Sequence, residues 1–183
     1  MKLFIPVIIG TSRPKRESIN VAQLLKEMLD EHEDVETAMV DPKDHDLSLD
    51  GNDEENKIDD YTQLIERADG LFLVVPEYNH SFPASLKGLL DKELGAYMHK
   101  PAAMAGVSGG GFGGVRAIES LLPVLRELGL VASSVDLIVS RVQDKFDDDG
   151  QLLDDGLKGS ASQAIDELLW LAQTLRLGRD QEK

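Results

Sequence analysis

Leu71-Phe72-Leu73-Val74-Val75-Pro76-Glu77-Tyr78-Asn79 holds five consecutive apolar residues, then a proline, then a polar and aromatic turn. The run is too short for a buried helix and too uniform for a strand with one wet face. It reads as a central strand covered on both sides. Pro76 closes it, because proline brings no N–H to a sheet ladder.

Toward the N-terminus, Ile5 to Ile9 repeats the pattern with β-branched residues and reads as a second such strand. It ends at Gly10-Thr11-Ser12-Arg13 and not at a small-residue cleavage site, which favours a strand over a signal peptide. Between the two runs, Val21, Leu24, Leu25, Met28 and Leu29 recur at helical spacing, predicting a helix from about Ser18 to Glu31. A short strand at Val35 to Val40 follows. The acidic stretch Asp41 to Asp60, with Gly51 and Asn52, reads as a solvated loop that becomes helical near Lys57 and ends around Asp69.

Toward the C-terminus, a helix is expected from Pro83 to Tyr97 and a strand from Ala102 to Val107. The cluster Gly109 to Gly114 then leads into a helix carrying Ile118, Leu121, Leu122, Leu125 and Leu128, which Pro123 should kink or break. Val131 to Val139 supplies a fifth strand. Ile165, Leu168, Leu169, Ala172 and Leu175 mark a last helix, with a frayed tail after Gly178. This alternation predicts an α/β fold: a three-layer, doubly wound, five-stranded parallel sheet. With neither repeat nor linker, residues 1–183 read as a single domain. Right-handed crossovers force a reversal in strand order, and ligands collect there at the carboxyl ends of the strands. The loops after strands one, three and four therefore carry the functional question.

Composition narrows the partners. Nineteen Lys and Arg against 34 Asp and Glu leave a formal charge of −15. Such a surface repels phosphate backbones and anionic lipid, so neither nucleic acid nor membrane is the expected partner. With no cysteine, disulfides, thiolate catalysis and cysteine zinc sites are excluded. The cytoplasm is the simplest expected location.

The first loop, Gly10-Thr11-Ser12-Arg13-Pro14-Lys15-Arg16-Glu17-Ser18, gathers hydroxyls and cations ahead of a helix N-terminus. Read locally, it fits a phosphate site or a helix cap with solvated basic residues equally. It lacks P-loop spacing. The second loop, from Pro76 to Lys87, is stiffened by two prolines and offers Tyr78, Asn79 and Ser81, a wall suited to a planar ring. The third loop holds Gly109, Gly111 and Gly114 at Gly-x-Gly-x-x-Gly spacing, but after the fourth strand, the wrong place for a dinucleotide fingerprint.

Taken together, Gly10-Thr11-Ser12-Arg13 with Arg16 and Ser18, Pro76-Glu77-Tyr78-Asn79 with Ser81 and Leu86-Lys87, and Ser108-Gly109-Gly110 with Gly114 and Arg116 resemble one family. The chain is similar to the NAD(P)H-dependent FMN reductases of the flavodoxin-like superfamily, a group with quinone, azo-dye and chromate reductases. The resemblance runs from about residue 3 to 175. It implies a flavodoxin-like fold binding FMN, with NADPH or NADH as co-substrate. Ping-pong hydride transfer would reduce flavin, a quinone or a similar small-molecule acceptor. It implies that Thr11, Ser12, Arg13, Arg16 and Ser18 bind the FMN phosphate. Pro76, Glu77, Tyr78 and Asn79 would lie beside the isoalloxazine ring, and Ser108, Gly109 and Gly110 near its pyrimidine edge. No side chain is expected as a catalytic acid or base, and a homodimer or homotetramer is expected. The alternative is a flavodoxin-type electron carrier without its own NAD(P)H turnover.

Other conspicuous residues read as structural. His32, His45, His80 and His99 lack metal-ligand spacing. An EF-hand register through Gly150 places Lys145 and Gly156 at ligand positions, so the acidic run before the last helix is a solvated loop. Trp170 is expected in the core or at a subunit interface. Glu77 fits a structural ion pair, within the chain or across a subunit boundary.

Overall fold

The computed structural model describes residues 2–47 and 57–181; Gly51 and Asn52 of the acidic stretch lie outside them. Five parallel strands run among the described residues. Strand β1 comprises Leu3–Phe4 and Val7–Ile9, and β2 comprises Val35–Glu36 and Met39–Val40. Strands β3 (Leu71–Pro76) and β4 (Pro101–Val107) are continuous, and β5 comprises Val131–Ala132 and Leu137–Val139. Their order is β2-β1-β3-β4-β5, which places the reversal between β1 and β3.

The breaks inside strands have local causes. Pro6 cannot donate, but the amides of Ile5 and Val7 reach the Glu36 and Ala38 carbonyls at 2.9 and 2.8 Å and keep β1 in one ladder. In β5, Ser133 Oγ accepts the Val135 amide at 3.2 Å, turning the chain before Leu137.

Alternate strand residues feed two cores. Val7, Ile9, Phe72, Val74, Ala103 and Ala105 face helices α1 (Ser18–Asp30) and α5 (Asp155–Gln181). Ile8, Leu71, Leu73, Val75 and Met104 face α2 (Asp59–Arg67), α3 (Ala84–Leu90) and α4 (Val115–Glu127). Both faces of the sheet are therefore covered, as the unbroken apolar runs require. The fold is the expected three-layer parallel α/β architecture.

Four local expectations need correction. Helix α3 stops at Leu90 rather than reaching Tyr97, because the Glu93 carboxylate accepts the amides of Leu94 and Ala96 and turns the chain into a 3₁₀ segment, Gly95–Tyr97. Helix α4 continues through Pro123, which stands on its exposed side, so of the kink or break expected there the break does not occur. Helix α5 begins at Asp155, where Asp154 accepts the Leu157 amide at 3.1 Å. It stays helical past Gly178, where Arg179 reaches the His99 carbonyl at 2.8 Å and Asp69. Trp170 is 59% exposed on α5 and belongs to neither core, which removes the first of its two expected places and leaves the subunit interface as the other. No helix among the described residues is long and apolar enough to cross a membrane.

Candidate functional site

The carboxyl ends of β1, β3, β4 and β5 open onto one rim. There a cavity of about 360 Å³ is lined by Thr11, Arg13, Lys15, Arg16, Glu17, Ser18, Pro76, Glu77, Tyr78, Val107, Ser108, Gly109, Val142 and Gln143. A larger cleft of about 620 Å³ lies at the amino ends of the strands, but ion pairs fill its walls, Arg67 with Glu36 and Arg176 and Arg179 with Asp69. The smaller cavity occupies the position at which open α/β sheets bind ligands.

Close approach of the backbones builds this rim. A methyl carbon on Gly10 would sit 2.3 Å from the Val74 carbonyl oxygen and 2.9 Å from Pro76 Cδ, so only glycine lets the first loop leave β1 against β3. Thr11 and Tyr78 then hydrogen-bond through their hydroxyls at 2.9 Å, joining the first and second loops. In the second loop, Tyr78 and Ser81 exchange backbone hydrogen bonds around Asn79 and His80, both at positive φ (49° and 68°), the conformation of a type I′ turn. Gly114 precedes α4 at φ 80°, where a methyl carbon would stand 2.3 Å from the Val107 nitrogen.

The basic groups of the first loop divide into two kinds. Arg16 is paired with Asp41 at the end of β2 and also donates to the Thr11 carbonyl at 2.7 Å, so its side chain braces the loop. Burial alone would raise the Asp41 carboxyl. The Lys43 amide and the Arg16 guanidinium outweigh burial and hold it below the ordinary carboxylate value. Arg13 and Lys15 line the same cavity, are exposed, and make no ion pair among the described residues. Beside them the N-terminus of α1 has no side-chain cap, its first turn carries no acid, and the buried Ser18 hydroxyl has no hydrogen-bond partner among the described residues. In a chain with a surplus of carboxylates, this sets an uncapped helix start, a hydroxyl and two cations around one hollow, the donor set of a phosphate site.

The third loop is folded by its own hydroxyl. Ser108 Oγ donates to the Gly110 carbonyl at 2.9 Å and accepts the Gly113 amide at 2.8 Å, so it is engaged within the loop. Gln143 donates to the Gly109 carbonyl at 3.2 Å from the 3₁₀ turn Val142–Asp144. Glu77, 6% exposed through its side chain, pairs with Arg116 on the first turn of α4, and His80 contacts the same guanidinium at 2.9 Å. The expected ion pair of Glu77 thus forms within the chain and ties the second loop to the third.

Of the sequence-predicted residues, the structure gathers Thr11, Arg13, Arg16, Ser18, Pro76, Glu77, Tyr78, Ser108 and Gly109 around the cavity. Ser12, Asn79 and Gly110 are on the same loops but do not line it. Lys15, Glu17, Val107, Val142 and Gln143 line it and were not singled out from sequence. Val142 and Gln143 follow β5, and the rule that pointed to the loops after strands one, three and four applies equally to the carboxyl end of the fifth.

Comparison with known proteins agrees with this geometry. Residues 3–144 match the family described as NADPH-dependent FMN reductase. The chain belongs to that family. An NAD(P)H-dependent FMN reductase of Pseudomonas aeruginosa is 32% identical over 120 residues, 62% of this chain and 65% of that protein. An NADPH:quinone oxidoreductase of Arabidopsis thaliana is 34% identical over 126 residues, 66% of this chain and 63% of its own length. The match thus spans just under two thirds of these two relatives. In solved structures, the flavoenzyme NAD(P)H:(acceptor) oxidoreductase FerB of Paracoccus denitrificans superposes with a TM-score of 0.73 at 22% identity, covering 93% of this chain and 98% of FerB, a likeness of fold.

The donor set of this cavity suits FMN. Its phosphate would complete the unpartnered Ser18 hydroxyl and the uncapped end of α1, and Tyr78 with the Pro76-Glu77 backbone offers a wall for a flat ring.

Asp41 makes this rim acid-sensitive. Because its carboxyl titrates below the ordinary value in the folded chain, its contribution to stability is complete above about pH 4 and is lost as pH falls through the lowered value. Asp41→Asn should cost about 1.5 kcal/mol at neutral pH and flatten the acid limb of the stability curve. Urea unfolding at a series of pH values checks both.

Proposed function

We propose that this chain, acting as one flavodoxin-like unit, is an FMN-dependent oxidoreductase that uses NADPH or NADH to reduce a small-molecule acceptor of the flavin or quinone type in alternating half-reactions. When bound, FMN supplies the two-electron chemistry. The protein's part is to bind, orient and shield. Thr11, Arg13, Lys15 and Ser18, at the uncapped start of α1, hold the phosphate, with Ser12 keeping the loop's course beside them. Arg16 keeps the loop in shape through Asp41. Tyr78 and the backbone of Pro76 and Glu77 flank the ring, while Ser108 and Gly109 close the far side; Asn79 and Gly110 shape the loops that carry them. We assign no side chain as acid or base. The protein is further proposed to work in the cytoplasm as a homo-oligomer, without nucleic acid or membrane partners.

The observation that carries this reading is the buried Ser18 hydroxyl at the uncapped start of α1, beside Arg13 and Lys15, with no partner for that hydroxyl and no ion pair for those charges among the described residues. Anaerobic addition of NADPH or NADH to FMN-loaded protein tests it. Rapid loss of the oxidised-flavin absorbance is expected, with recovery when a quinone is added. Stable yellow colour with both nicotinamides would instead describe an electron carrier and contradict the enzyme reading.

A further inference from the structure

Five of the eight arginines are matched to carboxylates: Arg16, Arg67, Arg116, Arg176 and Arg179. Arg13, Arg126 and Arg141 make no ion pair among the described residues, and Arg13 and Arg141 both stand exposed on the carboxyl rim. Arg13 follows β1 and lines the cavity, whereas Arg141 follows β5 and does not. The strand order puts three sheet spacings between those strands, roughly 14 Å. Arg141 is thus placed to serve a different group from the phosphate assigned to Arg13.

Its backbone is strained. Arg141 has φ 46°, a left-handed conformation unfavourable for any residue with a Cβ. Among the described residues, the non-glycine positions at positive φ are Lys15, Asn79, His80, His99 and Arg141, and all but His99 lie on loops leaving the carboxyl ends of strands. Such strain collects at binding sites, where the surrounding structure holds it. The third loop does so here. The Arg141 and Val142 amides donate to the Gly110 and Ser108 carbonyls at 3.0 and 3.1 Å, with Gln143 on the Gly109 carbonyl between them. Gly110 and Gly111 then form a bare ledge, where a methyl carbon would meet nothing within 4 Å. At its other end Phe112 is 64% exposed, with one ring face on the Arg116 guanidinium at 4.2 Å.

A cation without a carboxylate, an open glycine ledge and an exposed aromatic ring together complement a phosphate joined to a flat base. We propose that this ledge binds the adenosine-phosphate half of the nicotinamide co-substrate, with Arg141 on a phosphate and Phe112 against the adenine. The nicotinamide half is then directed into the cavity across Ser108 and Gly109, which line it. Arg141 and Phe112 set affinity for the dinucleotide and take no part in holding FMN. The inference rests on the redox reading above, which supplies a dinucleotide as reductant.

The test is calorimetric titration of FMN-loaded protein with NADP+ and with NAD+, oxidised forms that bind without turnover. Arg141→Gly should weaken NADP+ binding by roughly tenfold to 150-fold, the range of one charge-assisted contact. An equal loss for NAD+ puts Arg141 on the pyrophosphate, and a loss larger for NADP+ puts it on the 2′-phosphate; either supports the proposal. Phe112→Ala should weaken both dinucleotides about fivefold or more. Glycine also relieves the backbone at position 141, so the FMN-free variant should melt no lower than the parent, and its FMN affinity should be unchanged. A merely structural Arg141 would give the reverse, a lower melting temperature with both dinucleotides bound as before. That result, unchanged binding in Phe112→Ala, or a wild type that binds neither dinucleotide would each overturn the proposal. Anaerobic bleaching by NADPH, read on the same samples, judges the enzyme reading separately. Bleaching in parent and variants alike, with NADP+ affinity unmoved, overturns the ledge alone. A parent that binds NADP+ with the expected losses in the variants, yet never bleaches, contradicts the enzyme reading and upholds the ledge.

Discussion

Replacing Gly114 by alanine is expected to cost about 3–5 kcal/mol of stability, the largest effect of any single methyl group on this rim. Two penalties add. The residue sits at φ 80°, a backbone conformation that costs an L-residue about 1–2 kcal/mol. The new methyl carbon would also lie 2.3 Å from the Val107 nitrogen and 2.6 Å from the Gly106 carbonyl carbon, both backbone atoms of β4. Neither can rotate away, so the third loop or the start of α4 must shift. For a chain of this length, the loss corresponds to a melting temperature lower by on the order of 10 °C. Thermal and urea unfolding check this. A change under 1 kcal/mol would mean that the loop adapts freely, contrary to the rigid rim described above. A Gly110→Ala control should be nearly neutral, since a methyl carbon there meets nothing within 4 Å.

Arg13→Ala should weaken FMN binding by roughly tenfold to 150-fold, the equivalent of about 1.5–3 kcal/mol for one charge-assisted contact. Arg13 lines the cavity without an ion-pair partner among the described residues, whereas Arg16 is engaged by Asp41 and the Thr11 carbonyl. Removing Arg13 therefore takes away a ligand contact while the loop's own bracing remains. The melting temperature of the FMN-free protein should barely move. Fluorescence titration gives the affinity. Equal affinity in variant and parent would remove Arg13 from the phosphate site. A large loss of stability without FMN would show that Arg13 supports the loop instead.

The layered sheet and the rim that carries the site were legible in the sequence because both follow from hydrophobic period. Uniform apolar runs such as Leu71 to Val75 can only be strands covered on both faces, and helical spacing between them forces parallel crossovers. Element ends were less legible, because single side chains set them. Glu93 captures the Leu94 and Ala96 amides and ends the helical path early. Gly156, Gly159 and Gly178 weaken the sequence signal for α5, yet Asp154 caps its start and Arg179 fastens its end to His99 and Asp69. Long-range partners of this kind leave no periodic trace.

The site shows the same division. Loops leaving strands one, three and four were visible as glycine, proline and hydroxyl clusters. That Arg16 pairs with Asp41, 25 positions away, was not visible, and it separates a bracing cation from Arg13, which has no ion pair among the described residues. Ser108 was expected near the ligand; the structure gives its hydroxyl to the loop itself. Val142 and Gln143 reach the cavity only because β5 ends on the same rim as β4, a consequence of strand order rather than of any local motif.

The most direct measurement is an equilibrium titration of the FMN-free chain with FMN, followed by flavin fluorescence and by absorbance after removal of unbound flavin. The account predicts uptake of one FMN per chain, with a yellow protein that retains its colour through the separation. A protein that stays colourless in excess FMN, while folded by circular dichroism, would contradict the assignment of this cavity.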